Sequence, residues 1–186
     1  MEVEVAVIGG GPSGLITARE AANRGAHVLV LEEHDEIGLP VECAGLLSLG
    51  GLRAIGLKPD GRFVLNLLRR ATFYSPSGIA LVVEAPDPVA CVVDRHELDA
   101  RLAELAEDRG ADIALGRWVK TLSIGRDRVE LRGDWGSLKA ELAVVAEGFR
   151  SRLVRQVGLR TIDWRRVLPA SQVEVPARDL DEEGVE

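Results

Sequence analysis

The chain has 186 residues, 46% of them hydrophobic, 28% charged and 4% aromatic. That composition excludes a disordered tail, a collagen-like repeat and a disulfide-framed miniprotein, and the length suits one ordinary domain or one with part of a second. A net charge of −7 argues against a nucleic-acid partner, because the long-range field repels polyanions.

The first predicted element is a strand at Val3-Glu4-Val5-Ala6-Val7-Ile8, a short β-branched run bounded by glycines. Gly9-Gly10-Gly11-Pro12-Ser13-Gly14 follows, and Leu15, Ala18, Ala21 and Ala22 then fall at helical spacing, with Gly25 as a stop. His27-Val28-Leu29-Val30-Leu31 reads as a second buried strand, which completes one βαβ unit. Residues 35–68 read as loop and short helix. A hairpin is predicted from Ala71-Thr72-Phe73-Tyr74 and Ile79-Ala80-Leu81-Val82-Val83 around Ser75-Pro76-Ser77-Gly78.

Asp94 is the expected N-cap of a long helix, and Glu97 the residue to close a capping box. Leu98, Leu102, Leu105 and Ala106 carry its apolar face and Gly110 ends it. Strands are predicted at 111–115, 117–124, 128–132 and 138–146, a short helix at 151–157 and a last strand at 166–175.

Two cysteines, Cys43 and Cys91, make no disulfide framework. Cys91 lies in an apolar run and reads as core. His27, His34 and His96 have no ligand spacing and read as surface residues; no Cys/His cluster points to a metal. No apolar run approaches the ~20 residues that cross a bilayer, and the N-terminus lacks the basic region of a secretory signal. The expected location is the cytoplasm, with contact to a membrane surface left open.

The chemistry-bearing motif is Gly9-x-Gly11-x-x-Gly14 between a strand and a helix. The first glycine allows a tight turn, the second lets backbone approach a diphosphate, and the third lets helix and strand pack closely. The N–H groups at the helix start then face the phosphates. Glu32 ends the second strand 18 residues past Gly14, where a carboxylate can accept a hydrogen bond from a ribose 2′-hydroxyl. Glu33 is its neighbour and a second candidate. With no arginine beside Glu32, a 2′-phosphate is disfavoured. The motif itself does not choose between NAD and FAD.

Four segments resemble the FAD-dependent geranylgeranyl reductase family, within the para-hydroxybenzoate hydroxylase-like flavoproteins. They are the glycine motif with Val30-Leu31-Glu32; Ile37-Gly38-Leu39-Pro40-Val41-Glu42-Cys43-Ala44-Gly45; Val93-Asp94-Arg95-His96-Glu97-Leu98-Asp99; and Val144-Val145-Ala146-Glu147-Gly148-Phe149-Arg150-Ser151-Arg152. The resemblance implies an α/β, Rossmann-type FAD-binding domain: a parallel sheet with helices, an antiparallel β-meander and a partial second sheet. In domain terms it implies an FAD-binding domain over 1–160, interrupted by a substrate-sheet hairpin at 63–90, and the start of a substrate domain at 161–186.

The cofactor residues implied are Gly9, Gly11, Pro12, Ser13, Gly14, Glu32, Glu33, Cys43, Ala44, Arg95, Val119 (through its backbone), Glu147 and Gly148. Cys43 is the implied catalytic residue. Two departures stand out: Glu147 occupies the usual aspartate position, and Ala44-Gly45-Leu46 replaces the usual Gly-Glu-Gly.

The implied reaction is reduction of isolated C=C bonds in geranylgeranyl or other isoprenoid lipid chains by reduced FAD. The implied partners are the lipid, an external electron donor (NAD(P)H or ferredoxin) and a membrane surface touched peripherally. The family normally continues beyond this length, so the expectation is an N-terminal fragment, inactive alone. A flavin monooxygenase of the same fold and a non-catalytic dinucleotide-binding fragment are the alternatives.

Overall fold

The computed structural model describes residues 2–173, 175, 176 and 183–185. In chain order, β1 (Glu2–Ile8) leads through a glycine turn into α1 (Pro12–Ala22) and on to β2 (Val28–Leu31). The helix begins ahead of Leu15 because Pro12 takes its first position, where a missing N–H is harmless and the ring's φ is already helical. Then come β3 (Leu46–Ser48), α2 (Leu49–Ala54), β4 (Val64–Leu68), β5 (Arg70–Tyr74), β6 (Ala80–Glu84), β7 (Ala90–Val93) and α3 (Arg95–Glu107). The chain continues with β8 (Asp112–Ala114), β9 (Thr121–Ile124), β10 (Val129–Gly133) and β11 (Gly136–Val145). A 3-10 turn (Gly148–Arg150), α4 (Arg152–Gln156), a second 3-10 turn (Trp164–Arg166) and β12 (Gly184–Val185) complete it.

Contacts divide the chain into two units, residues 1–40 with 99–169 and residues 41–98 with 170–186. The first contains one six-stranded sheet in the order β8-β2-β1-β11-β10-β9. The β8, β2, β1 and β11 strands are parallel, while β11, β10 and β9 form an antiparallel meander. β1 is apolar on both sides. Its Val7, with Val28 and Val30 of β2, packs against Ala18 and Ala22 of α1 and Ala106 of α3. Its Val3, Ala6 and Ile8 join Leu122, Leu131 and Leu138 of the meander and Leu153 of α4. Burial on both faces is what a parallel strand of this composition calls for. The arrangement is the Rossmann-type sheet with a β-meander that the resemblance implies, and smaller sheets accompany it.

The second unit holds two three-stranded sheets, β12-β5-β6 and β3-β7-β4. The β5–β6 hairpin forms as predicted, with Ser75 Oγ accepting the Ile79 N–H at 3.0 Å across the turn. Phe63, Leu49, Leu52, Leu68, Cys91 and Val93 are buried. The boundaries lie at Val41 and Leu98, wider than the 63–90 hairpin, because β3 and β4 pair with β7.

Several expectations are corrected. Residues 35–68 hold the expected short helix, α2, but also the strands β3 and β4, and β7 is a strand that Pro86 and Pro88 conceal. The strand predicted from 117 begins at Thr121, since the carbonyls of Val119 and Lys120 accept from Arg152 instead of joining a ladder. Asp94 caps α3, accepting the Glu97 N–H at 3.1 Å, but the Glu97 carboxylate pairs with Arg62 rather than closing the box. No strand forms over 166–173; of the remainder of that prediction, Glu174 lies outside the described residues.

Candidate functional site

β1, β2 and β8 run one way, and β11 joins β1 from the other side, so the strand order reverses between β1 and β11. In open α/β sheets the crevice beyond the strands' carboxyl ends at such a reversal is where ligands settle. Three backbone hydrogen bonds extend the parallel ladder to this edge: Gly9 N–H to Leu31 O (2.9 Å), Ala146 N–H to Ile8 O (2.8 Å) and Glu32 N–H to Ala114 O (3.0 Å). They bring Gly9, Glu32 and Ala146 side by side, although 137 positions separate the first from the last.

The glycines are there for two different reasons. Gly9 has φ +108°, and a Cβ on it would lie 2.4 Å from the Ala146 carbonyl oxygen. A Cβ on Gly14 would lie 1.9 Å from the Gly9 carbonyl oxygen. Both are demanded by the packing of turn, helix and strand. Gly11 differs: beyond its own chain neighbours, nothing of the protein lies within 4 Å of a Cβ built on it. The fold does not need a glycine there, and the space in front of it is open. Gly11 is also the N-cap of α1 and provides no side-chain acceptor. Pro12 has no N–H, so the N–H groups of Ser13 and Gly14 in the first helical turn are the ones available to an anion.

Glu32 is 8% exposed, and both carboxylate oxygens are engaged. Its Oε2 accepts the Gly10 N–H at 2.6 Å; its Oε1 accepts the His34 N–H at 3.0 Å and meets His34 Nδ1 at 2.6 Å. A carboxylate has about four acceptor positions, so one remains, on Oε2. Glu33, next in the chain, is exposed. The segment that follows β8 is tied to the same place, with Gly116 N–H bonded to His34 O at 2.9 Å and Arg117 N–H to Glu32 O at 2.6 Å. This brings Trp118 and Val119 to the edge that Glu32 occupies.

Glu147 lies at the crevice beside Ala146, but its carboxylate reaches forward along the chain to α4. Oε1 accepts the N–H groups of Leu153 (2.7 Å) and Val154 (3.2 Å). Glu147 therefore caps α4 in place of Ser151, which has φ +46° and makes no capping bond. The added methylene relative to aspartate provides the reach. From α4, the Arg152 guanidinium donates to the carbonyls of Val119 and Lys120 and lies 5.3 Å from the Trp118 ring centroid. Val119 is buried, and its carbonyl is already taken. Gly148 is exposed.

The remaining candidates belong to the second unit. Cys43 is half-buried, and its Sγ accepts the Gly45 N–H at 3.5 Å; Ala44 beside it is exposed. Arg95 opens α3 and is engaged by a neighbour, while its Nε is a buried nitrogen with no acceptor. Burial pushes the Cys91 thiol up. No group of three potential metal ligands occurs among the described residues, nor any helix long and apolar enough to cross a membrane.

Within the first unit, then, the fold joins Gly9, Gly11, Pro12, Ser13, Gly14, Glu32 and Glu147 along one sheet edge. Sequence reasoning overlooked Gly10, His34 and Arg152. The signal for His34 is its position two residues beyond Glu32, which keeps it on the same side of an extended chain. The open approach to Gly11, the free helix N–H groups and the spare acceptor on Glu32 fit an adenine dinucleotide without a 2′-phosphate.

Residues 2–184 match the family model described as FAD binding domain. Digeranylgeranylglycerophospholipid reductase of Thermoplasma volcanium is 33% identical over 96% of this chain and 48% of the relative. Digeranylgeranylglycerophospholipid reductase 2 of Methanothermobacter thermautotrophicus is 35% identical over 100% of this chain and 50% of the relative. A crystal structure of a geranylgeranyl bacteriochlorophyll reductase-like protein from Thermoplasma acidophilum superposes with a TM-score of 0.79 at 32% identity, covering 86% of this chain and 42% of that one. The chain thus spans about half the length of the curated relatives it matches. A p-nitrophenol 4-monooxygenase from Pseudomonas putida, at 23% identity and TM-score 0.71, shares the fold.

Proposed function

The chain belongs to the FAD binding domain family, and we propose that it forms the cofactor-holding part of an enzyme that reduces C=C bonds in geranylgeranyl lipid chains. The observation that carries the reading is the identity of about one residue in three to archaeal digeranylgeranylglycerophospholipid reductases across nearly the whole chain. When bound, reduced FAD supplies the hydride that adds to an isolated double bond.

The work of the protein's own residues is to bind and orient. The Ser13 and Gly14 N–H groups at the start of α1 hold the diphosphate, over the room left by Gly11. The Oε2 of Glu32 accepts from the adenosine ribose, and the N–H of Val119 remains for the base once Arg152 has taken its carbonyl. Glu147 acts at one remove, by capping α4 and so fixing Arg152. Gly148 lets the backbone beyond Ala146 turn, and Glu33 borders the ribose.

Cys43 and Ala44 take the role the resemblance implies, beside the reacting end of the cofactor, and Arg95 the role of a cation on the cofactor's flank. The lipid comes from a membrane surface touched peripherally, and NAD(P)H or a ferredoxin provides the electrons. The experiment is incubation of a protein of the relatives' full length, containing these residues, with dithionite-reduced FAD and a geranylgeranyl-chain lipid, read by mass spectrometry. Uptake of two hydrogens per double bond is expected. Bound FAD without any uptake overturns the reductase reading while leaving the cofactor assignment intact.

A further inference from the structure

We propose that His34 is a positioning residue for the cofactor's adenosine ribose, acting through Glu32. This rests on the FAD-binding reading above and extends it to a residue outside the recognised motifs.

An ionised carboxylate can only accept, so the 2.6 Å contact between His34 Nδ1 and Glu32 Oε1 places the ring proton on Nδ1. The backbone N–H of His34 donates to the same oxygen at 3.0 Å. Both lone pairs of Oε1 are therefore filled from one residue. Oε2 takes the Gly10 N–H at 2.6 Å and keeps one position open. Those three bonds fix the rotation of the carboxylate about its last torsion, which is otherwise broad and roughly two-fold, and direct the vacant lone pair of Oε2 outward.

The donor is itself anchored. The His34 carbonyl accepts from Gly116 N–H at 2.9 Å, so the backbone beneath the imidazole is held between β2 and the segment after β8. The ring is about half exposed, and no hydrophobic packing requires a histidine there. A group that is exposed, anchored and bonded to a nearly buried carboxylate has orientation of that carboxylate as its evident effect. Without the ring, Oε1 gains an empty position, and the ribose hydroxyl competes with water for either oxygen.

The test uses the adenosine half of the cofactor, with the 186-residue chain and calorimetry of ADP and 2′-deoxy-ADP. Wild type is expected to prefer ADP by about tenfold, the worth of one hydrogen bond to a charged acceptor. His34→Ala should shrink that preference to about twofold or less. His34→Asn, whose amide N–H can stand near the Nδ1 position, should restore it. Thermal melting of each variant is expected to match wild type, since the ring is exposed.

Equal weakening of both nucleotides in His34→Ala, or an undiminished preference, overturns the positioning role alone. Wild type that binds both nucleotides equally removes the ribose role of Glu32, and that of His34 with it. Wild type that binds neither overturns the FAD-binding reading.

Discussion

The two units solve the problem of apolar surface in opposite ways. In the first, α1 and α3 line one face of the parallel strands and the meander with α4 lines the other, and Val7, Val28, Leu131 and Leu153 are all fully buried. In the second, β6 is exposed along its whole length, and Phe73, Ile79, Leu81, Val82 and Val83 are each more than half exposed. The difference teaches where cover lies: helices and meander bury the central parallel strands of the first unit, while β6 of the second stays exposed. The strands around the implied substrate side carry apolar residues in excess of what their own unit covers, and patches of that kind mark interaction surfaces.

The largest expected effect sharpens the contrast inside the glycine turn. Gly14→Ala forces a Cβ to 1.9 Å from backbone that cannot yield, so FAD binding should fall at least about a hundredfold and the melting temperature should drop with it. Gly11→Ala meets no protein atom, so the melting temperature should stay and FAD binding alone should fall. Calorimetry and a melt on each variant check this; loss of stability in Gly11→Ala would break the distinction between a fold glycine and a ligand glycine.

Next in size is a pair that tests the comparison between units. Leu131→Ala empties a fully buried position in the first unit and should cost about 2–5 kcal/mol in denaturant unfolding. Leu81→Ser, at a position 62% exposed, should change stability by no more than about 0.5 kcal/mol. A large loss in Leu81→Ser would mean that the hairpin is covered in solution.

How much of this was legible beforehand follows the same division. β1, α1 and β2 could be read because burial on both faces leaves an apolar, β-branched-rich run, and because Gly9 and Gly25 sit where the chain turns. α3 could be read from Leu98, Leu102 and Ala106 at helical spacing. β3, β4 and β7 could not: β3 is three residues long, β4 slips register between Val64 and Asn66, and β7 follows two prolines. Their pairing is long-range, and neither a three-residue strand nor a slipped one carries a period of its own. In the site, Glu32 was legible from its distance to Gly14. His34 and Arg152 were not: His34 stands two residues past Glu32 and Arg152 lies inside a recognised segment, but nothing in the sequence says that the imidazole bonds the Glu32 carboxylate or that the guanidinium reaches carbonyls 32 and 33 positions away.

A smaller effect probes the cap that replaces Ser151. Glu147→Ala removes the acceptor for Leu153 and Val154 N–H and should cost about 0.5–2 kcal/mol, the range for loss of a helix cap. Glu147→Asp should lose part of the same energy, since the shorter side chain falls short of α4. If Glu147→Ala leaves stability unchanged and abolishes FAD binding, the carboxylate contacts the cofactor directly instead.

The two thiols of the second unit differ in burial, and so in reactivity. Cys91 is fully buried, and burial holds its thiol above the ordinary range, so the reactive thiolate is suppressed in the folded chain. Cys43 is half-buried, with its sulfur facing a backbone N–H. Iodoacetamide at pH 8 should therefore label Cys43 and spare Cys91 until denaturant is added, with mass spectrometry of the peptides as the readout. The sign with pH follows from linkage. A thiol whose folded value is raised stabilises the fold fully below its unfolded value, near 8.5, and that contribution fades as pH climbs through the folded value. Labelling of Cys91 should accordingly begin only at strongly alkaline pH, together with a falling melting temperature, and Cys91→Ala should remove that alkaline decline. Prompt labelling of Cys91 at pH 8 would mean that β7 opens readily, and that the second unit lacks even the small core ascribed to it.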